Sequence, residues 1–340
     1  EDGIRDVERS RGLGDVYKRQ VYDMCGKLIV ATDVSEVPQL EELFKRGTEN
    51  GAEGLRMVDQ EEIKEIEPYS AGVKAILSPN TGIIDYFEVS QTYATRMREN
   101  GGDLLTNVEV ISIENKDNLV YVNTTSGTIA AKYVLNCAGL HADTVARMMG
   151  VDVGVKIVPF RGEYFSIIPE KEHMVKGLIY PVPNPSMPFL GVHFTRRING
   201  SVEAGPNAVL AFAREGYKKT DVNLKDTLGT LSYSGFWKMS AKYWKVGMHE
   251  QYRSLVKGVF VKSLQKLMPE ITGDDLGDPG AGVRAQVIDS NGGLLQDFAI
   301  EASANAIHVL SAPSPGATSS LTISEYIVDL AQESFDLSAA

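Results

Sequence analysis

The order of apolar and polar positions divides the chain into short strands and amphipathic helices. Residues 25–31 and 73–78 have the composition of strands, and residues 36–50 have the spacing of a helix. Strands are predicted to dominate over residues 155–205, where apolar runs alternate with glycines, prolines and positively charged side chains. Residues 224–268 are predicted to be mostly helical. The pattern therefore predicts a mixed α/β protein.

A strand followed by a glycine and a helix is predicted near the middle of the sequence. Residues 132–139 form an apolar run that ends at Gly139, and a helix is predicted over residues 140–149. Because the run is apolar at odd and even positions alike, we expect a buried parallel strand, with Cys137 buried inside it. A glycine in this place lets a backbone approach a phosphate or a ribose closely. A final apolar strand is predicted over residues 304–310, ahead of a closing helix.

Length and composition describe a globular chain with enough residues for two domains. The 340 residues are 43% hydrophobic, which is ample for a sizeable core. The net charge of −11 argues against sequence-independent binding to nucleic acid, so an anionic ligand must be held by a local cationic patch. The two cysteines, Cys25 and Cys137, lie far apart, which favours a reducing compartment such as the cytoplasm and no disulfide. No run reaches the roughly 18 apolar residues of a spanning helix.

Residues 1–20 differ in composition from the rest of the chain. Charged side chains crowd this stretch, which shows neither strand alternation nor helical periodicity, and the composition changes at Val21. A disordered leader and a translation artefact joined to a shortened gene are the two interpretations. We therefore leave these residues out of the fold prediction.

Residues 154–206 are the best candidate for a binding cleft. Strands, tight turns and positively charged ends suit a small anionic molecule. His193 lies in a predicted strand, and an imidazole with the ordinary pKa of about 6.5 suits a general base at neutral pH. The alternative is a core histidine that donates to a backbone carbonyl. Arg196 and Arg197 are neighbours in a strand, so at most one of them faces the cleft. The histidine spacing does not indicate a metal site, and no Gly-x-Ser-x-Gly motif occurs.

Eight stretches of the sequence resemble one family of cofactor enzymes. They are CGKLIVAT at 25–32, PFRGEYF at 159–165, IYPVP at 179–183, MPFLGVH at 187–193, GPNAVLAF at 205–212, REGY at 214–217, AGVRAQ at 281–286 and APSP at 312–315. With them the chain resembles the FAD-dependent amine and hydroxy-acid oxidoreductases related to D-amino-acid oxidase and glycerol-3-phosphate dehydrogenase. Within that family it is similar to the branch that oxidises L-2-hydroxyglutarate. The resemblance extends from Val21 almost to the end of the sequence.

The resemblance implies an interleaved α/β flavoprotein. A three-layer FAD-binding domain, incomplete at its N-terminus, would comprise residues 81–152 and 288–340. A substrate domain with a largely antiparallel sheet would comprise residues 21–80 and 153–287. The family begins with a Gly-x-Gly-x-x-Gly loop that holds the FAD pyrophosphate, and this sequence has no counterpart of it. We therefore expect roughly the first quarter of the family's length to be missing here.

The resemblance also implies roles for individual residues. FAD is expected to contact the backbone of Val110 and Gly139, and a turn before the last helix formed by Ser314, Pro315, Gly316, Ala317 and Thr318. His193 and Arg284 are the expected catalytic residues, with Arg284 clamping the substrate carboxylate through two hydrogen bonds. A histidine in a family loop beside the flavin, which has no counterpart in this sequence, is the alternative base. The rest of a small dicarboxylate is expected to contact Arg161, Tyr164, Tyr180 and Arg196. Surface ion pairs for the arginines and ordinary packing for the tyrosines are the alternatives.

The implied reaction is the FAD-dependent oxidation of L-2-hydroxyglutarate to 2-oxoglutarate, with oxygen or a membrane quinone as the electron acceptor. Two alternatives stay open. One is another hydroxy-acid, amino-acid or glycerol-phosphate oxidase of the same fold, and the other is an inactive fragment that does not retain FAD. Residues 236–252 are rich in Lys, Tyr and Trp. They form either a solvated helical face or a patch for peripheral association with the inner face of the cell membrane.

Overall fold

A computed structural model describes residues 22–183, 191–312 and 316–337. Contacts divide the chain into two compact units, each assembled from three segments. The described residues of the first unit fall within 22–92, 161–209 and 245–282. Those of the second unit fall within 93–160, 210–244 and 283–337.

The strands and helices differ widely in length, from two-residue strands to a helix of 22 residues. The strands are β1 Tyr22–Asp23, β2 Lys27–Ala31, β3 Arg56–Asp59, β4 Lys74–Ser78, β5 Ile83–Ile84, β6 Val110–Lys116, β7 Leu119–Thr124, β8 Gly127–Ala131, β9 Val134–Asn136, β10 Val155–Ile167, β11 Leu178–Pro181, β12 His193–Arg196, β13 Val202–Gly205, β14 Val209–Leu210, β15 Leu276–Asp289, β16 Ala299–Ala302 and β17 Ala306–Ser311. The α-helices are α1 Val37–Glu49, α2 Gln60–Ile66, α3 Tyr86–Glu99, α4 Ala142–Met148, α5 Leu224–Leu231, α6 Ser234–Leu255, α7 Lys257–Leu264 and α8 Ser320–Phe335.

The first unit is built on a sheet with the strand order β10–β13–β12–β11–β2–β4–β3. Its pairs are antiparallel except for β11 with β2, which is parallel. Alternate residues of the strands point to one face, where Leu28, Ile179 and Phe194 pack against Phe260 and Leu264 of α7. This buried face fixes the strand register, because a slip by one residue would bring polar side chains into the core.

The second unit contains two smaller sheets. Strands β6, β7 and β8 form an antiparallel meander, and β16, β17 and β9 form a sheet in which β17 and β9 are parallel. Helix α4 contributes Ala142 and Ala146 to an apolar cluster with Leu310 of β17. Helix α8 contributes Phe335 to a cluster with Ile307 of the same strand. Helical residues from α4 and α8 thus pack against β17, whose six residues are all buried.

The boundaries of the compact units differ from the interleaving implied by the family resemblance. Residues 210–244 lie in the second unit, although the resemblance groups them with the substrate segment 153–287. Phe236 and Met239 of α6 pack with Val158 and Ile288, so apolar burial joins this segment to the second unit.

Helix α2 begins with a side-chain cap. The Asp59 carboxylate accepts hydrogen bonds from the backbone N–H groups of Glu61 and Glu62, as expected of an N-cap. The Glu62 side chain does not complete a capping box, because it pairs with the Arg56 guanidinium at 2.5 Å.

The expectation of a fully buried strand at residues 132–139 is wrong. The strand is limited to β9, where Leu135 is 45% exposed, and Cys137 in the following turn is exposed as well. The reason lies in the strand order, since β9 is at the edge of its sheet and pairs only with β17 among the described strands. An apolar sequence predicts a buried strand, but the strand's position in the sheet decides its exposure.

Among the residues described, no helix has the length and apolar character needed to cross a lipid bilayer.

Candidate functional site

One face of the first unit's sheet packs on α1 at β2, β4 and β3 and carries polar side chains along β10, β11 and β12. Tyr180 of β11 lies directly across from His193 of β12, because Ile179 pairs with Phe194 in the antiparallel register. His193 in turn lies across from Gly205 of β13. By strand alternation, the same face presents Lys27, Tyr164, Tyr180, His193 and Thr195, which we call the polar face.

His193 is held in one orientation by two contacts. Its ring stacks on the Tyr180 ring with centroids 4.0 Å apart and planes 17° from parallel. Its Nδ1 lies 2.9 Å from the carbonyl oxygen of Gly191, which accepts only, so Nδ1 carries the proton in the neutral ring. Nε2 of that tautomer has the lone pair. His193 is 7% exposed. A buried imidazole whose Nδ1 donates to a carbonyl has a geometry that suits a general base.

Tyr180 provides a neutral wall beside this histidine. Burial raises the pKa of Tyr180, and a hydrogen bond to Thr195 only partly offsets that effect. The phenol therefore keeps its proton at neutral pH and adds no negative charge to the polar face.

Lys27 is a residue of the polar face that the sequence reasoning did not select. Its ammonium lies 5.4 Å from the centre of the Tyr180 ring. Burial lowers the pKa of Lys27. The one sequence feature that could have indicated a role for Lys27 is its place as a single charged residue at the start of the otherwise apolar strand KLIVA. Such a lysine ordinarily extends its ammonium into solvent, and only the pairing of β2 with β11 brings it beside Tyr180.

The structure does not bring two of the predicted substrate-binding arginines to the polar face. Arg196 shares its side of β12 with buried Phe194; it pairs with Asp23 at 3.1 Å and donates to the Lys176 carbonyl. Arg161 is three positions before Tyr164, hence on the opposite side of β10, and it pairs with Glu163 at 3.0 Å. The contacts favour structural roles for both, and their substrate-binding roles stay predictions.

The remaining predicted catalytic residue, Arg284, lies in the second unit. It is an exposed residue of β15. Its role as a carboxylate clamp stays a prediction.

The predicted FAD contacts that the structure describes also lie in the second unit. Gly139 follows β9 with a φ of 53°, and no heavy atom lies within 4 Å of the place where a Cβ would be. Val110 begins β6 and is half-buried. Gly316, Ala317 and Thr318 precede α8, whereas Ser314 and Pro315 lie outside the described residues.

These residues fit a dinucleotide cofactor. Parallel strands β9 and β17 both run towards a helix at their carboxyl ends, the edge of an α/β sheet where ligands usually bind. The space around Gly139 leaves its backbone accessible to a ribose or a phosphate. The 16-residue helix α8 presents its amide donors and partial positive charge just after the Gly316 turn. No group of potential ligands for a metal ion occurs among the described residues.

A mixed α/β fold with a dinucleotide-type site at the carboxyl ends of β9 and β17 is typical of a flavoprotein oxidoreductase. Comparison with known proteins identifies the family. The FAD-dependent oxidoreductase family model that includes D-amino-acid oxidase matches residues 8–330. The chain belongs to this family. The predicted family, the enzyme class and FAD as the cofactor are thereby confirmed.

Relatives and solved structures place the chain more narrowly. It is 50% identical over 315 residues to an L-2-hydroxyglutarate dehydrogenase of Indibacter alkaliphilus, covering 92% of this chain and 79% of that protein. It is 44% identical to the human mitochondrial L-2-hydroxyglutarate dehydrogenase over 333 residues, or 93% of this chain and 72% of that protein. The FAD-bound L-α-glycerophosphate oxidase of Mycoplasma pneumoniae shares the fold, with a TM-score of 0.73, 22% identity and coverage of 96% of this chain and 79% of that one. The glycine oxidase of Geobacillus kaustophilus has a TM-score of 0.68, with 16% identity and coverage of 98% and 80%. The predicted fold class is confirmed.

Gly205 is expected to be essential for the close packing behind His193. Its φ is 148°, and a Cβ there would lie 2.8 Å from the Glu163 carbonyl oxygen and 3.0 Å from the Tyr164 ring. We expect Gly205→Ala to destabilise the first unit by about 1–3 kcal/mol, because backbone strain adds to the overlap. Hydrogen exchange of β12 and β13 measures the effect.

Gly200→Ala is the matched control for this substitution. Gly200 also has a positive φ, 89°, but no heavy atom lies within 4 Å of its Cβ position. The difference in hydrogen-exchange protection between the two variants therefore measures the effect of the close approach of β10 and β13, separately from the backbone strain. Equal protection in both variants would contradict the predicted importance of that approach.

Proposed function

We propose that this protein oxidises L-2-hydroxyglutarate to 2-oxoglutarate with FAD as the cofactor. Two L-2-hydroxyglutarate dehydrogenases, one bacterial and one human, are 50% and 44% identical to it over more than nine-tenths of its length. The supporting feature of the structure is the fixed tautomer of His193, which suits a base for a hydroxyl proton.

His193 takes the C2 hydroxyl proton at Nε2. The Gly191 carbonyl and the Tyr180 ring hold the imidazole while the proton is transferred. The Nδ1–H···O=C hydrogen bond also stabilises the imidazolium that forms, since both ring nitrogens then donate. Bound FAD supplies the acceptor for the two electrons and the hydrogen removed from C2.

Arg284 holds the C1 carboxylate in this proposal. The planar guanidinium donates two parallel hydrogen bonds to a carboxylate, and this fixes which face of C2 is presented. Tyr164 and Tyr180 contribute hydroxyl groups on the polar face. Backbone groups of Val110, Gly139 and the Gly316–Thr318 turn contact the cofactor.

Anaerobic reduction of the flavin tests the proposal. The protein is loaded with FAD, and L-2-hydroxyglutarate is added without oxygen; we expect the flavin absorbance to bleach and 2-oxoglutarate to form in equal amount. D-2-hydroxyglutarate is the stereochemical control and leaves the flavin oxidised. Glycerol 3-phosphate, glycine and L-alanine test the other substrates known to suit this fold. FAD-loaded protein that stays oxidised with L-2-hydroxyglutarate contradicts the proposal.

The electron acceptor is oxygen or a membrane quinone. Peroxide formation in air separates the two, because only transfer to oxygen produces it. For the quinone route, the exposed aromatic residues Trp237, Trp244 and Tyr252 of α6 supply an apolar surface for peripheral contact with a bilayer.

A further inference from the structure

Lys27 is a half-buried cation without an anionic partner. Among the described residues, its contact is with the face of the Tyr180 ring, and no hydrogen bond or carboxylate neutralises the ammonium. Burial destabilises the charged form and lowers the pKa of Lys27. Burying an ammonium is costly unless an anion or several acceptors replace the lost water.

Several other cations of the same sheet have carboxylate partners. These pairs are Arg161 with Glu163, Arg196 with Asp23, Arg197 with Glu203 and Lys74 with Glu41. Lys27 differs from all four, although it lies on the polar face beside Tyr180. An unneutralised cation at the edge of a proposed substrate site is typical of a group whose counter-ion is the ligand.

The distances suit a short dicarboxylate. The Lys27 ammonium is 5.4 Å from the Tyr180 ring centre, and that ring is 4.0 Å from the His193 ring. The distance from the ammonium to the centre of the histidine ring cannot exceed the sum of these two separations. The carboxyl carbons of a five-carbon dicarboxylic acid are roughly 5 Å apart when extended, from ordinary C–C bond lengths. A hydroxyl at one end can therefore reach His193 while the far carboxylate approaches Lys27.

We propose that Lys27 binds the C5 carboxylate of the substrate and thereby selects dicarboxylates over monocarboxylic 2-hydroxy acids. This inference rests on the proposed function. The ammonium gains in the complex the anion it lacks without substrate, so the interaction favours substrates that carry a second carboxylate. The neutral Tyr180 phenol between Lys27 and His193 does not compete for the positive charge.

Substitution of Lys27 by methionine tests the inference. The measured quantity is the ratio of kcat/KM for L-2-hydroxyglutarate to kcat/KM for L-2-hydroxypentanoate, which has five carbons but no second carboxylate. We expect Lys27→Met to lower this ratio about 10- to 100-fold, the range for losing a hydrogen bond to a charged group. A second readout needs no turnover: calorimetry with glutarate, whose affinity should fall by a similar factor. Lys27→Arg keeps the charge and is expected to retain most of the preference.

Lys74→Met is the matched control. Lys74 lies on the next strand, β4, and already pairs with Glu41 at 2.7 Å, so its loss should leave the ratio and the glutarate affinity unchanged. If Lys27→Met does not fold, Lys27→Gln replaces it as the neutral variant of similar length. Wild-type protein that does not oxidise L-2-hydroxyglutarate contradicts the proposed function. Wild-type protein that does, with an unchanged ratio and glutarate affinity in the neutral Lys27 variant, overturns the role of Lys27 alone.

Discussion

His193→Gln is expected to lower kcat for L-2-hydroxyglutarate about 10²- to 10⁴-fold, the usual contribution of a general base. Glutamine fills much of the same space and can accept the hydrogen bonds of its surroundings, but it cannot take a proton at neutral pH. Stopped-flow measurement of flavin bleaching under anaerobic conditions gives the rate directly. The affinity for 2-oxoglutarate should change by less than about threefold, because the imidazole takes part in the proton transfer and contributes little to binding of the product.

His173→Gln is the control for this substitution. His173 is an exposed histidine of the same unit whose ring contacts the edge of Tyr69, and no step of the proposed reaction uses it. Its replacement should leave kcat unchanged. A His193→Gln enzyme with the wild-type kcat would show that His193 is a core histidine that donates to a carbonyl and has no catalytic role.

Arg214→Ala is expected to destabilise the second unit by about 3–5 kcal/mol, the cost of leaving one charge of a buried pair unpaired. The Arg214 guanidinium makes two hydrogen bonds to the Asp143 carboxylate, at 2.6 Å and 3.1 Å, and Asp143 is fully buried. Urea unfolding measures the loss. Tryptophan fluorescence reports on this unit, because both tryptophans, Trp237 and Trp244, belong to it.

The same variant should alter the response to acid. Burial by itself raises the pKa of Asp143, but the hydrogen bonds and charges of Arg214 and Arg147 outweigh it and hold the pKa below its usual range. A depressed pKa in the folded state gives stability that is complete above the ordinary value of about 3.9 and is lost as the pH falls through the lower, folded-state value. The difference between wild type and Arg214→Ala should therefore stay constant from pH 7 to about pH 5 and shrink as the pH falls below the ordinary carboxyl pKa.

Arg147→Ala is the matched control for the ion pair. Arg147 contacts the same carboxylate at 2.8 Å, but its side chain is 41% exposed, so its loss leaves Asp143 paired and should be much less destabilising. If the two arginine variants unfold at the same urea concentration, the buried pair does not have the predicted importance.

Sequence reasoning predicted the features that depend on neighbouring residues in the chain. The apolar strand β17 and the strand that carries His193 follow from local composition and spacing. Family resemblance then added FAD and the reaction class, which composition and periodicity do not provide. The site roles of His193 and Arg284 are still predictions that the proposed substitutions test.

Features that depend on strand register were not predictable. Of the neighbouring Arg196 and Arg197, the sequence indicated that at most one faces the cleft, but it did not indicate which. The pairing of β12 with β13 places Arg196 opposite Val202 of the core. Lys27 was missed for the same reason, since its closeness to Tyr180 depends on a parallel strand that is about 150 residues away in sequence.

The three-segment composition of each unit has a consequence for synthesis on the ribosome. The first unit needs residues 245–282, so its core cannot close until most of the chain has been made. Phe194 and Leu28 must wait for Phe260 and Leu264 of α7, and until then their strands expose an apolar face. We expect the nascent chain to depend on chaperones through much of translation, and a unit cut out as one continuous stretch of sequence to fail to fold.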